Sequence, residues 1–384
     1  MCNKTAAMLP ESYKDAACSG QQGTVVEVSF RVGNYIDPLR RLVTDRNIHP
    51  EEAGRETVDG EAITKKCCVY LPKGYNKDNR NDRYNVLYLL HGVGGSRYEW
   101  LSGGCDGRSV NDIYTAAGAQ RENTSKAYML SNIFDHLIAN GEIEPMIVVL
   151  SEGRSTHDWT DHTFNTRGTN ILGFYYFDYE LRYDLIPFIE SEFNTLADIK
   201  DTSPEGIAYN RQHRAIGGLS MGGMQVTNLV LGGYRCDSTQ YTGTDSVWNN
   251  GLDNTVQAPG MLDLFAYAGA FSNAPTSSGG DMLGASVASS GHRLELLYMS
   301  CGDQDEIAYE MGYKKAANGL EETAGTSLGD FYKIIIKDGV HDFAVWYNSA
   351  YNFARLCFDK GKDAVSPDSG PLPNVMDITL YGIK

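Results

Sequence analysis

Apolar residues along this chain fall into short runs that switch between two spacings. Thr24-Val25-Val26-Glu27-Val28-Ser29-Phe30 is alternating and β-branched, which predicts a strand, and Thr64 to Leu71 predicts a second, closed by the turn Pro72-Lys73-Gly74-Tyr75-Asn76. Asn85 to Leu90 and Met146 to Leu150 are continuous apolar runs, as expected of strands covered on both faces. Between and after them the spacing becomes helical. Tyr128 to Asn140 predicts one helix, and Phe177 to Phe193 a longer one carrying Leu181, Leu185, Phe188 and Ile189 on one side. The alternation continues with a strand at Arg214 to Leu219 and a helix at Met221 to Leu231. Strands at Leu264 to Phe271 and Leu294 to Ser300, a helix at Ile307 to Thr323, a strand at Phe331 to Ile336 and a last helix at Phe343 to Phe358 follow. Strands alternating with helices imply crossover connections and a mostly parallel sheet. The first two strands have no helix between them, so they are expected to form an antiparallel edge.

Two stretches break the rhythm. Residues 232–260 are polar and glycine-rich and read as an insertion or lid, and residues 363–384 form a tail in which Ile378 to Tyr381 has the pattern of a small strand. The expected organisation is a lead-in over 1–22, one catalytic domain over 23–362 with the insertion inside it, and the tail.

Composition narrows the function. The chain has 384 residues, 42% of them hydrophobic, which is ample for a core. Its 49 acidic and 33 basic residues give a formal net charge of −16, which argues against nucleic acid or an anionic membrane as partner and favours a neutral substrate. No apolar run reaches membrane-spanning length, and the first residues carry no signal-peptide core. A secreted or cell-surface protein whose leader is absent from this chain is expected, with a cytoplasmic one as the alternative. The eight cysteines include no Cys-x-x-Cys pair, so neither a zinc site nor a thioredoxin-type motif is suggested.

The chemistry centres on Gly217-Gly218-Leu219-Ser220-Met221-Gly222-Gly223. Gly218-x-Ser220-x-Gly222 between a predicted strand and a predicted helix is a nucleophile elbow, a sharp turn that presents one serine hydroxyl. A serine needs a base and an acid to orient that base, and on this fold both follow it in the chain. His341 stands after the strand Phe331 to Ile336, at the sheet edge where ligands bind, whereas His292 precedes a strand at the opposite edge. The acid comes from Ser300-Cys301-Gly302-Asp303-Gln304-Asp305: Asp305 is preferred, Asp303 is the alternative, and the other of the two would serve as a helix cap. Two backbone N–H donors are expected for a tetrahedral oxyanion, Met221 after the nucleophile and Val93 in the loop His91-Gly92-Val93-Gly94-Gly95, with His91 as a buttress of that loop.

Taken together, five segments resemble carbohydrate esterase family 1, the feruloyl and acetylxylan esterases of the esterase D-like α/β-hydrolases. They are Leu89 to Ser96 with Trp100, Gly218 to Gly223, Ala268 to Ser272, Cys301 to Asp305, and His341 to Trp346. The resemblance implies an α/β-hydrolase fold and hydrolysis of ferulate or acetate esters on plant xylan, without metal or cofactor, by Ser220, His341 and Asp305. It also implies a substrate cleft lined by Trp346 and Trp100, for which core packing is the competing reading. Gly153 to His162 contains two histidines and two aspartates. It reads as a polar loop whose Asp158 and Trp159 would contact sugar or phenol, in preference to a metal site. The competing functions are an acetylxylan or S-formylglutathione-type esterase, an acyltransferase, and a non-catalytic carbohydrate-binding protein.

Overall fold

The structure, a computed structural model, describes residues 6–38, 62–103, 129–162, 169–235, 256–358 and 375–376. Nine strands form one sheet: β1 Thr24–Val32, β2 Ile63–Leu71, β3 Asn85–Leu90, β4 Met146–Leu150, β5 Arg214–Leu219, β6 Tyr267–Phe271, β7 Leu294–Gly302, β8 Leu328–Ile336 and β9 Val375–Met376. Their spatial order is β1-β2-β4-β3-β5-β6-β7-β8-β9. β1 pairs antiparallel with β2 and β2 with β4, while every other pairing is parallel. This is the α/β-hydrolase architecture, with the antiparallel edge where the missing helix placed it.

The apolar runs explain the layering. Along β3, Val86, Tyr88 and Leu90 face one core and Leu87 and Leu89 the other, and all five are buried. One face is covered by the helical stretch 177–192 and the elbow helix 221–230, through residues such as Leu181, Leu185, Met224 and Leu229. Helices α1 (Met129–Ala139) and α2 (Phe343–Leu356) cover the other, through Ile133, Phe134, Tyr347 and Phe353.

Two expectations need correction. The helix expected over 307–323 is two pieces, because Gly319 turns left-handed (φ 76°) and a Cβ there would lie 1.8 Å from Asp281 Oδ1. The strand expected from Leu264 begins only at Tyr267, since the Leu264 and Phe265 amides turn back to the Met261 carbonyl. Two helices carry no strong apolar period: Pro204–Arg211, capped by Ser203, and Gly280–Ser289, whose Gly280 and Gly284 let it press on the backbone of 318–324. The two ends of the 232–260 insertion meet as a neck, with Arg235 N–H donating to Val256 O and Ala258 N–H to Gly233 O. Its residues 236–255 lie outside the described residues, as do 378–381 of the tail.

Candidate active site

Ser220 follows β5 with φ 50° and ψ −113°, a combination that costs a non-glycine residue on the order of 1–3 kcal/mol. The neighbouring glycines make the turn possible. A Cβ on Gly218 would stand 2.5 Å from the Gly222 backbone, one on Gly222 2.7 Å from both the Leu90 and His91 carbonyl oxygens, and one on Gly223 2.9 Å from Asn273 Cα. The turn is pinned on three sides: Ser220 N–H donates to Phe271 O, and Ser220 O accepts from Met224 and Ala274 N–H.

Asp305 and His341 arrive from the ends of β7 and β8. His341 Nε2 lies 3.0 Å from Ser220 Oγ, and His341 Nδ1 lies 2.8 Å from Asp305 Oδ2. The other Asp305 oxygen accepts from Ile307 N–H at 3.1 Å and Ala308 N–H at 2.9 Å, and the Cys301 thiol approaches Oδ2 at 3.6 Å. Burial pushes the Asp305 carboxyl up, but the His341 hydrogen bond and charge together with the Ala308 amide outweigh it, so the pKa falls below the ordinary value. Asp303 instead ties the histidine loop to the acid loop, its Oδ1 accepting from Asp338 N–H at 2.7 Å. Asp342 caps α2 through Ala344 and Val345 N–H, so the loop bearing His341 is held at both ends.

Of the two expected oxyanion donors, Met221 opens the elbow helix directly after Ser220. The loop of Val93 packs against it: a Cβ on Gly92 would lie 3.2 Å from Ser220 Cβ. A cavity of about 170 Å³ opens over Ser220, walled by Val93, Met221, Pro275, Ile307 and Trp346, with His341 at its edge. Its walls are apolar apart from Ser220, His341 and Glu99. Trp346 stands edge-on to the His341 ring at 4.9 Å.

The remaining residues fall elsewhere. Trp100 does not line the cavity: it is 1% exposed, packed edge-on among Phe271, Phe343 and Tyr347, with its indole N–H donating to Leu90 O. Packing, the competing reading, is where the structure puts it. His91 is equally buried, its ring nitrogens 2.6 Å from Gly92 O and 2.7 Å from Glu152 O, which places it under the loop and outside the residues that line the cavity. Burial and the Arg154 cation lower it to about 4, so it is neutral at pH 7. Asp158 is exposed and bonds locally to Thr160, and Trp159 lies under the Arg97 guanidinium. Neither is among the residues lining the cavity over Ser220. His292 sits by Asp263 and Arg211 at the start of β7, the far edge of the sheet. Among the described residues no three His, Cys, Asp or Glu side chains cluster as a metal site, and no helix is long and apolar enough to cross a membrane. Glu99, Pro275 and Ile307 were missed, because no motif marks them; they reach the cavity only through the packing of separate loops.

Comparison with known proteins finds similarity to esterases. Residues 64–234 match the Esterase family, described as "Putative esterase". The chain is 30% identical over 312 residues to endo-1,4-beta-xylanase Y of Acetivibrio thermocellus, an alignment covering 78% of this chain and 23% of that protein. It is 26% identical over 292 residues to an endo-1,4-beta-xylanase/feruloyl esterase of Xylanibacter ruminicola, covering 76% and 29%. The chain therefore spans about a quarter of the length of the curated relatives it matches. Among solved structures it is similar to a serine-to-alanine mutant of the feruloyl esterase module from Clostridium thermocellum complexed with sinapinate (TM-score 0.55, 22% identity, 95% of this chain and 99% of that one). A CE1 ferulic acid esterase from Anaeromyces mucronatus in complex with ferulic acid is also similar (TM-score 0.54, 17% identity, 93% and 98%). The matched segment, residues 64–234, includes the elbow, and the likeness to the solved structures is one of fold, that of the α/β-hydrolases.

Proposed function

We propose that the chain is a serine esterase that hydrolyses hydroxycinnamoyl esters, feruloyl esters of xylan foremost, through an acyl-enzyme. The observation that carries this is the relay Ser220–His341–Asp305, with contacts of 3.0 and 2.8 Å, opening into an apolar cavity. In the first step His341 Nε2 takes the Ser220 hydroxyl proton as Oγ bonds to the ester carbonyl carbon, and the carbonyl oxygen becomes an oxyanion facing the Met221 and Val93 N–H groups. His341 then gives that proton to the sugar oxygen as the ester bond breaks. Water, deprotonated by the same nitrogen, attacks the acyl-serine, and the proton returns to Ser220 as the acid leaves. Asp305 holds Nδ1–H and stabilises the imidazolium at each stage. This chemistry draws on no metal or cofactor. Val93, Pro275, Ile307 and Trp346 offer apolar surface to an aromatic acyl group, and the xylan-active names of two relatives favour a sugar ester as the leaving side.

The test is a panel of methyl ferulate, methyl p-coumarate, acetylated xylan and p-nitrophenyl acetate, with wild type and Ser220→Ala. Turnover of the two cinnamoyl esters above acetylated xylan, abolished in Ser220→Ala, is expected. Preference for acetyl groups would move the substrate to acetylxylan, and turnover surviving in Ser220→Ala would remove the mechanism.

A further inference from the structure

The loop that faces Ser220 is held by a group that takes no part in the proton transfers of ester hydrolysis. Val93 N–H belongs to the same peptide unit as Gly92 C=O, and in a planar trans peptide the two point in opposite directions. Whatever fixes the Gly92–Val93 peptide plane therefore aims the donor, and the Gly92 N–H anchors the peptide immediately before it, from which that plane is hinged by the glycine's own two dihedrals. On the carbonyl side, Gly95 N–H donates to Gly92 O at 3.2 Å, and His91 Nδ1 lies 2.6 Å from the same oxygen. A neutral imidazole has a single N–H to share between Gly92 O and Glu152 O, so His91 fixes at most one of those carbonyls. On the amide side the acceptor is a carboxyl group: Gly92 N–H donates to Glu99 Oε2 at 3.0 Å.

Glu99 comes from the short helix Glu99–Ser102, seven residues along the chain, and its side chain borders the cavity with 16% of its surface exposed. Its other polar neighbour is His91 Nδ1 at 3.8 Å, and Arg154 is the cation that acts on it. Burial lifts this carboxyl to about 7 against the opposing Gly92 N–H, so a carboxylate here is held at a cost that a surface glutamate would not bear. Gly95 explains how it reaches its partner. A Cβ at 95 would lie 2.0 Å from Glu99 Oε2 and 2.6 Å from its Cδ, so only glycine leaves the carboxylate room beneath the loop.

We propose that Glu99 is a positioning residue for the oxyanion: its carboxylate, admitted by Gly95, fixes the Gly92 amide and so aims Val93 N–H at the developing charge on the substrate oxygen. Charge-assisted bonds to a backbone N–H are about twice as strong as neutral ones, and a donor aimed in advance contributes to the transition state without reorganisation. This rests on the serine-esterase reading of the same cavity.

The experiment compares wild type, Glu99→Gln, Glu99→Leu, Gly95→Ala and Gly95→Ala/Glu99→Leu. It measures kcat and KM on p-nitrophenyl acetate, affinity for phenylboronic acid (whose serine adduct is tetrahedral) and thermal melting. Loss of one oxyanion donor costs about 10²–10³ in kcat, so loosening its aim in Glu99→Leu should cost about 10- to 100-fold. Boronate affinity should fall by a similar factor with KM little changed, because the loss is confined to the tetrahedral state. Glu99→Gln, which keeps an acceptor, should recover most of the rate. Gly95→Ala should imitate Glu99→Leu by expelling the carboxylate, and the double variant should be no worse than either single one. Should Glu99→Leu fail to melt cooperatively, Gly95→Ala and Glu99→Gln decide the matter. Full kcat and boronate affinity in a folded Glu99→Leu or Gly95→Ala variant, equal losses in Glu99→Gln and Glu99→Leu, or multiplicative losses in the double variant would each overturn the inference. Absence of wild-type turnover, or its survival in Ser220→Ala run alongside, would instead strike the reading beneath it.

Discussion

Replacing Asp305 by asparagine changes one atom, and the structure dictates which way the new amide must face. One oxygen of Asp305 accepts two backbone N–H groups, from Ile307 at 3.1 Å and Ala308 at 2.9 Å. Turning the amide nitrogen toward them would set a donor against two donors, and a buried group left unsatisfied costs about 1–3 kcal/mol. The asparagine oxygen therefore stays on that side, and its NH₂ faces His341 Nδ1, 2.8 Å away. Nδ1 must then accept, so the imidazole proton moves to Nε2, 3.0 Å from Ser220 Oγ. A nitrogen that already carries a proton cannot take the hydroxyl proton. The same inversion in a serine-protease triad costs about 10⁴ in kcat, roughly 5 kcal/mol of barrier. The fold should survive, because both backbone bonds are kept. We expect Asp305→Asn to melt close to wild type and to lose about 10⁴ in kcat on p-nitrophenyl acetate at neutral pH. Asp303→Asn, at the residue whose side chain accepts from the histidine loop's Asp338 N–H, should keep a rate near wild type. An Asp305→Asn variant retaining more than about a tenth of the wild-type kcat would refute the tautomer argument. Loss of that size in Asp303→Asn instead would transfer the acid's role to the sequence alternative.

The remaining predictions concern strain, the cavity wall and acid. Ser220→Gly relieves the backbone strain at φ 50° that Ser220→Ala retains, so of these two inactive variants the glycine should be more stable by about 1–3 kcal/mol in urea unfolding; equal stabilities would mean the turn is unstrained. Ile307 borders the cavity yet is 48% exposed, so Ile307→Ala should raise KM for methyl ferulate while shifting stability by no more than about 0.5 kcal/mol; an unchanged KM would remove Ile307 from the acyl site. The Asp305 pKa is lower in the folded chain than in the unfolded one. Between those two values the unfolded state binds more protons, so this stabilisation is complete above the ordinary Asp value near 4 and is lost as pH falls through the folded value. Unfolding free energy from pH 6 to 3 should therefore fall more steeply in wild type than in Asp305→Asn, and parallel curves would contradict the shift.

What could be read from the chain alone follows a physical division. Ser220, His341 and their order were legible because the elbow needs glycine at fixed offsets: Gly218 and Gly222 meet backbone atoms at 2.5 and 2.7 Å, contacts no side chain survives, so the spacing is written into the sequence. Strands β3, β4 and β5 were legible because both their faces are buried and, beyond Asn85 and Arg214 at the first positions of β3 and β5, they carry no polar side chain but the Tyr88 hydroxyl. The helix Gly280–Ser289 was not, since it is placed by its glycines pressing on the backbone near Leu320, a tertiary contact without local period. Trp100 shows the opposite failure. It lies beside the oxyanion loop in sequence, but its indole points back under β3 to Leu90 O, and nearness along the chain did not give direction. The pattern preferred Asp305 without excluding Asp303, because both follow the same strand. They part only in space, where Asp305 meets His341 and Asp303 meets the amide of Asp338.

Strain at Ser220 persists because it is over-determined, and the same contacts that enforce it assemble the rest of the site. Ser220 N–H is bonded to the end of β6. Ser220 O accepts from its own helix and from Ala274, which leads directly into Pro275 of the cavity wall. Gly222 wedges the elbow helix under the Leu90 and His91 carbonyls, so the turn that lifts the hydroxyl also sets the height of the loop that carries Val93. Gly302 lies against Gly339, where a Cβ would meet a carbonyl oxygen at 2.1 Å, locking the acid loop to the histidine loop. Apart from the bond within the elbow helix, these contacts join the C-terminal ends of neighbouring parallel strands or the loops that leave them. A substitution at Gly222 or Gly302 would therefore act on catalysis by moving two strand ends relative to each other, with no loss of a reacting group. That separates them from Ser220, Asp305 and His341: the glycines should change stability and rate together, the three polar residues rate with little change in stability.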